Sequence, residues 1–349
     1  MEALRLGCEA FASDLNPVAC LILKVLLEDI PQHGPKLAEE LRRVGAEVKA
    51  AAEMELAEFY PPDPDGARPI AYLWARTVRC EAPNCGCEIP LVRSFWLAKK
   101  ANRKRALRYH VVRPKGDVPR VEFEVFEPKK DSDVQGGTVS RAKATCPACG
   151  TVLMPDRVRA QLAAQRGGAD AKFDAKGNRA GGARLLAVVT LKPNQTGRHY
   201  RLPADRDYQA VHKAMQRLKE VAAKPLSGGL SPIPDEPTPV GGGSGAGRAF
   251  SVQKYGMMQW GDLFAARQKM AMSVLASKCA SLRDSNVPVG LFALCLSKMV
   301  DMNNALSSWQ PHAEIPAHMM TRYGIVRATA FPHVAHEPVI RNVLVGAPC

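Results

Sequence analysis

Four cysteines stand in two pairs, Cys80-Glu-Ala-Pro-Asn-Cys85 and Cys146-Pro-Ala-Cys149. Thiolates are soft ligands, and a tetrahedral zinc ion takes four of them at about 2.3 Å. The second pair reads Cys-Pro-x-Cys-Gly, a tight turn that closes two sulfurs and backbone N–H groups around one ion. A single Cys-x-x-Cys is shared with redox motifs. Two such knuckles, each followed by a glycine (Gly86 and Gly150), predict a structural zinc ribbon, with free thiols as the plainer alternative. Cys87 lies two residues after Cys85 and is a spare for the first knuckle. The place of Gly86 favours Cys80, Cys85, Cys146 and Cys149 as the ligand set. Four thiolates fill the tetrahedron, so this metal is expected to build structure and not to catalyse.

The span from Cys85 to Cys149 is long for a minimal ribbon, so the residues between must form strands of their own. Strand-like segments run over 70–79, 107–113, 121–127 and 138–145. Before them, Cys8 to Ser13 alternates as a short strand ending at Asp14, and Pro17 opens a helix to about Asp29. An acidic amphipathic helix covers 36–59. After the knuckles, 151–182 reads as a polar, Gly-rich mobile excursion, 184–191 as a buried strand and 205–223 as a helix. Residues 225–249 read as a linker. Its Gly241–Gly247 run lacks the Gly-Lys-Ser/Thr ending of a phosphate loop. Helices are expected again over 262–282 and 287–302. The domain reading is 1–60 for a partial cofactor-binding segment and 61–160 for the zinc ribbon with a basic insert. Residues 161–249 form a strand–helix segment with linker, and 250–349 a helical segment.

With 349 residues the chain can bury a good core. No apolar run approaches a membrane span, and no basic-then-apolar signal opens the sequence. A cytoplasmic protein with no membrane partner is the expectation. Thiols stay reduced there, so Cys8, Cys20, Cys279, Cys295 and Cys349 are expected to be packed or free. The net charge of +14 is unevenly spread: residues 79–115 hold ten Lys and Arg against Glu81 and Glu88. Lys99, Lys100, Arg103, Lys104 and Arg105 follow Phe95-Trp96 closely, and cations beside exposed aromatics suit a phosphate backbone with unstacked bases. The competing reading is a solvated charged loop.

Glu2-Ala-Leu-Arg-Leu-Gly-Cys-Glu-Ala-Phe-Ala-Ser-Asp-Leu-Asn-Pro-Val-Ala19 resembles a segment of the zinc-ribbon-containing, adenine-specific DNA methylases. The resemblance continues through Ala71-Tyr-Leu-Trp-Ala-Arg-Thr-Val78, Cys80 and Glu88–Leu97. It takes in Cys146–Gly150, Ile233-Pro-Asp-Glu-Pro237, and Tyr255–Phe264 with Arg267-Gln268, and so covers most of the chain. It implies methyl transfer from S-adenosylmethionine to adenine N6 in DNA. The fold it implies is α/β, a partial Rossmann-like methyltransferase with an inserted β-rich zinc ribbon. Asp14 then falls where an acid accepts both ribose hydroxyls of the cofactor, with Asn16 nearby. The alternative for Asp14 is a helix N-cap.

The family's glycine loop, expected before Glu2, and its Asp-Pro-Pro-Tyr motif, expected after the last residues, are not in this sequence. The expectation is therefore a fragment or split subunit, inactive alone and without catalytic residues of its own, that binds DNA and a complementary methyltransferase polypeptide. The rival is a non-catalytic zinc-ribbon protein that binds nucleic acid. No Ser/His/Asp or Cys/His nucleophile arrangement supports a hydrolase.

Overall fold

A computed structural model describes residues 2–226, 229–241, 252–284, 286–317, 320–321, 324–325 and 330–334. Most of the Gly241–Gly247 run, His318, His336 and Cys349 lie outside the described residues. The chain divides into two compact units, one of 1–57 with 271–300 and 336–349, the other of 58–270 with 301–335. The expected boundary at 60 falls near a unit edge, whereas 160 and 249 lie inside the second unit. No helix of the described residues is long and apolar enough to cross a membrane.

The first unit is helical in its described residues. Pro17–Lys24 starts a helix that widens into a π turn at Val25–Asp29 and resumes at Ile30–His33. Leu37–Leu56 is a second helix, burying Leu37, Val44, Val48, Ala52 and Leu56 along one stripe. The helix Val289–Met302 comes close to the first at Gly290, where a Cβ would sit 3.0 Å from Leu21 Cδ1. The strand expected at 8–13 is absent. Its alternation of small and polar residues has no ladder partner among the described residues, and Phe11 is 95% exposed.

The second unit is built on antiparallel strands. β1 (Arg68–Ala75) is followed by a first hairpin of β2 (Thr77–Arg79) and β3 (Glu88–Pro90). A meander comes next: β4 (Trp96–Lys100), β5 (Arg103–Val112) and β6 (Arg120–Phe126). Three short strands then make a second ribbon sheet, β7 (Val139–Ser140), β8 (Lys143–Thr145) and β9 (Val152–Leu153). β10 (Ala171–Phe173) and β11 (Arg179–Gly182) form a hairpin. β12 (Arg184–Leu191) returns to pair with β1, and β13 (His199–Arg201) pairs with β12. The pairs β14 (Trp309–Gln310) with β15 (Ile315–Pro316), and β16 (Met320–Thr321) with β17 (Gly324–Ile325), precede β18 (Ala330–Val334) on the far edge of β1. The ribbon and meander are thus an insert between two neighbouring strands of the main sheet, in the order β13-β12-β1-β18.

β1 explains its own burial. Tyr72 and Trp74 face one core with Leu185, Val188 and Val211, the last from the helix Asp205–Ala222. Ala71, Leu73 and Ala75 face another with Phe95, Leu97 and Leu107 from the meander side. A strand covered on both faces reads as a continuous apolar run, as Ile70 to Ala75 does. On the Tyr72 face the fully buried Arg267 stacks its guanidinium 3.7 Å from the ring centroid and donates to the Phe59 carbonyl.

Residues 151–182, expected to be a mobile excursion, instead hold the helix Pro155–Ala164 and the β10–β11 hairpin. Pro155 sits at the first helical position, and Val158 and Leu162, four apart, are buried. The proline-rich half of the expected linker is also pinned: Thr238 is buried and donates to the Met257 carbonyl at 2.9 Å.

Candidate metal centre

Each cysteine pair sits in the turn of its own hairpin. In the β2–β3 turn the Cys80 N–H donates to the Cys87 carbonyl at 2.9 Å, and the Cys85 N–H to Ala82 at 3.2 Å. Asn84 and Gly86, both with φ of 60°, flank Cys85 in the left-handed region that Asn and Gly enter most readily. In the β8–β9 turn the Cys146 N–H donates to Thr151 and the Gly150 N–H donates back to Cys146, both at 2.9 Å. Short-range main-chain bonding therefore sets each pair before the two turns meet.

Where they meet, Cys80 Sγ lies 3.5 Å from Cys149 Sγ, and Cys85 Sγ lies 3.7 Å from Cys146 Sγ. All four sulfurs fall within 4.8 Å of one another. A tetrahedron with bonds of about 2.3 Å has edges of about 3.8 Å, so the four can hold one zinc-sized ion. Cys87 is left out. It is buried, its sulfur lies 3.6 Å from the Glu88 carbonyl, and burial pushes its pKa up to about 12. The choice between Cys85 and Cys87 falls to Cys85.

The electrostatics of the four are uneven. Burial pushes the Cys80 and Cys146 thiols up, whereas hydrogen bonds with Thr151 bring Cys149 down to about 6. Buried thiols resist ionisation in an apolar shell, and a divalent cation among them supplies the charge that makes thiolates favourable. That shell includes Val78, Ile89, Leu91, Leu153 and Leu162.

Three side chains lock the ribbon. Thr138 is buried, accepts from the Val92 N–H at 2.9 Å and donates to the Pro90 carbonyl, joining the end of β3 to the bend that leads into β7. Gln161 accepts from the Arg79 N–H at 2.7 Å and donates to its carbonyl at 2.9 Å, while Gln165 donates to the Thr77 carbonyl at 2.7 Å. Spaced i and i+4 on one helix, the two amides take the place of a neighbouring strand along the edge of β2. The expected excursion hid this helix, although Gln161 and Gln165 at helical spacing were its signal.

The basic run is not one patch. Successive side chains on a strand point to opposite faces, and the β4–β5 register pairs Lys99 with Lys104 and Lys100 with Arg103. Lys99 and Lys104 both reach Asp131, at 2.7 and 3.4 Å. Lys100 and Arg103 both reach the buried Glu314, Lys100 at 2.8 Å, and Arg105 reaches Glu127 at 2.6 Å. All five cations therefore carry an internal counter-charge. Phe95, expected to be exposed, is buried in the meander core because alternation turns it inward, and the half-buried Trp96 lies under Lys99.

Asp14 and Asn16 are both exposed. Asn16 caps the helix from Pro17, accepting from the Val18 N–H at 2.9 Å, and Asp14 accepts from the Asn16 N–H at 2.8 Å. An acid that serves a ribose needs both oxygens and a pocket wall. Here one oxygen of the Asp14 carboxylate is turned onto its own loop.

Comparison with protein-family models, with curated proteins and with solved structures gives no match.

Proposed function

We propose that this chain is a zinc-stabilised, DNA-binding part of an adenine-N6 DNA methyltransferase that uses S-adenosylmethionine. The observation that carries the reading is the convergence of Cys80, Cys85, Cys146 and Cys149. These cysteines belong to the motifs by which the sequence resembles the zinc-ribbon methylases, and the ribbon interrupts a helix-backed sheet as an insert would. On this reading the zinc is structural. The Rossmann-like frame and the cofactor are inferred from the resemblance alone, since the described strands pair antiparallel throughout. No residue here is assigned the methyl-transfer step.

Isothermal titration with S-adenosylmethionine tests the cofactor half. The exposed, self-bonded Asp14 predicts weak binding by this chain, strengthened by a complementary methyltransferase polypeptide. Tight binding that survives Asp14→Ala would remove Asp14 from the cofactor site. A second reading, a non-catalytic zinc-ribbon protein on nucleic acid, is favoured by the same exposure of Asp14. It predicts DNA binding with no response to the cofactor under any pairing.

A further inference from the structure

A cavity of about 320 Å³ opens in the second unit where the β12–β13 hairpin faces the β4–β5 hairpin. Its walls carry five basic side chains, Arg103, Arg105, Lys192, Arg198 and Arg201, against two carboxylates, Asp63 and Asp65. Asp63 is already saturated: Arg201 grips it at 2.6 and 2.8 Å and Arg206 at 3.1 Å. Asp65 faces Lys192 at 3.5 Å. Arg198 donates to the Ala313 carbonyl at 3.1 Å and has no carboxylate partner among the described residues. Arg103 is held by Glu314, Arg105 by Glu127 and Arg201 by Asp207 as well as Asp63, so the charge left over in the cavity is that of Arg198.

Two further details show a built site. Arg103 Nε and His199 Nε2 are buried with no hydrogen-bond partner, and both residues line the cavity. Buried polar atoms are normally paired, so these two unpaired nitrogens beside the cavity call for a partner that the described residues do not supply. Gly197, at φ of 95°, sits against Arg103 so closely that a Cβ would fall 2.2 Å from Nη1. The glycine leaves room for the guanidinium there, and Glu314 holds it. Thr190 and Thr196 add hydroxyls, and Tyr200 is the only aromatic carbocycle in the lining.

We propose that this cavity binds a phosphate group. Several cationic forks and hydroxyls converging on one small space suit a tetrahedral dianion or phosphodiester. The scarcity of aromatic surface argues against base stacking and for backbone contact, which positions a nucleic acid without reading sequence. A phosphodiester of DNA rests on the function proposed above, whereas a free phosphate compound does not. Arg103 and Arg105 of the basic run reach this cavity. Lys99 and Lys104 lie on the opposite face of the hairpin.

Anisotropy titrations of the full chain with a short labelled DNA duplex across a salt series, and competition by inorganic pyrophosphate, test it. Lys192→Ala with Arg198→Ala, both half-buried at the ends of the β12–β13 connection, should weaken duplex binding about tenfold or more and lower the log–log salt slope by about 2. Gly197→Ala should weaken it by displacing Arg103, and Lys99→Ala with Lys104→Ala should change the slope less. Duplex binding unchanged by K192A/R198A overturns the phosphate cavity and leaves the DNA-binding reading standing. Saturable pyrophosphate binding lost in R198A, with no duplex binding, supports the cavity and overturns the DNA reading. Binding of neither overturns both.

Discussion

The four-cysteine centre and the Asp14 segment both stand out by residue type and spacing, yet the fold completes only one of them. At the centre each sulfur pair is fixed inside one hairpin turn, by main-chain bonds over a few residues and by left-handed steps at Asn84, Gly86 and Gly150. An apolar shell then presses the two turns together. Asp14 and Asn16 bond to each other and to the helix that follows, and remain in water. A metal knuckle carries its geometry within its own turn. A ribose-binding acid borrows its direction from a strand and from loops distant in sequence, so residue type alone does not place it.

Six substitutions would break or sharpen this contrast. The largest effect belongs to the centre. Cys85→Ser or Cys146→Ser should abolish zinc binding and melt the ribbon, because a structural zinc contributes roughly 10 kcal/mol or more at neutral pH. Cys87→Ser should keep full occupancy. Zinc content by plasma mass spectrometry separates them, and loss in Cys87→Ser with retention in Cys85→Ser would reverse the knuckle.

Next comes Glu314, which holds Lys100 and Arg103 from a buried position. Glu314→Gln should cost about 1–3 kcal/mol in urea melts, below the usual toll for a buried pair because both cations stay partly exposed. Burial pushes this carboxyl up, but hydrogen bonds from Lys100, Tyr200 and Arg103 outweigh it and hold the pKa below the ordinary 4.5. A carboxyl depressed in the folded state stabilises fully above the unfolded value, and its contribution drains away as pH falls through the folded one. The gap between wild type and Glu314→Gln should therefore be constant near neutrality and shrink below about pH 4.5. A gap that widens in acid would contradict the ion pairs.

Thr138→Val should cost about 1–2 kcal/mol, since it leaves the Val92 N–H and the Pro90 carbonyl unpaired inside the ribbon. The smallest effect is on the other side of the comparison. Asn16→Ala should cost about 1 kcal/mol, confined to the helix from Pro17, with zinc content unchanged. Hydrogen exchange would show whether the opening stays local.

The two central strands of the main sheet were legible because their residues run apolar over short stretches, from Ile70 to Ala75 and from Leu185 to Val189. The ligand set was legible because the Gly after each second cysteine is part of the turn. The fate of the basic run was not. Glu314 lies 211 residues from Arg103, and only the fold brings them together. The helix Pro155–Ala164 was masked by the glycines that follow it and by a polar face, though two leucine-spaced apolar residues and two glutamines define what it does. The short strand read at Cys8 to Ser13 shows the converse error, since alternation without a ladder partner is only an extended loop.

The central claim is that four cysteines and one zinc ion build the ribbon. Metal analysis of the purified full chain, before and after chelation, tests it most directly. The prediction is one zinc per chain, loss of near-ultraviolet dichroism when it is stripped, and recovery when zinc alone is returned. A chain that purifies without metal, or that keeps its tertiary signal after complete stripping, would contradict it.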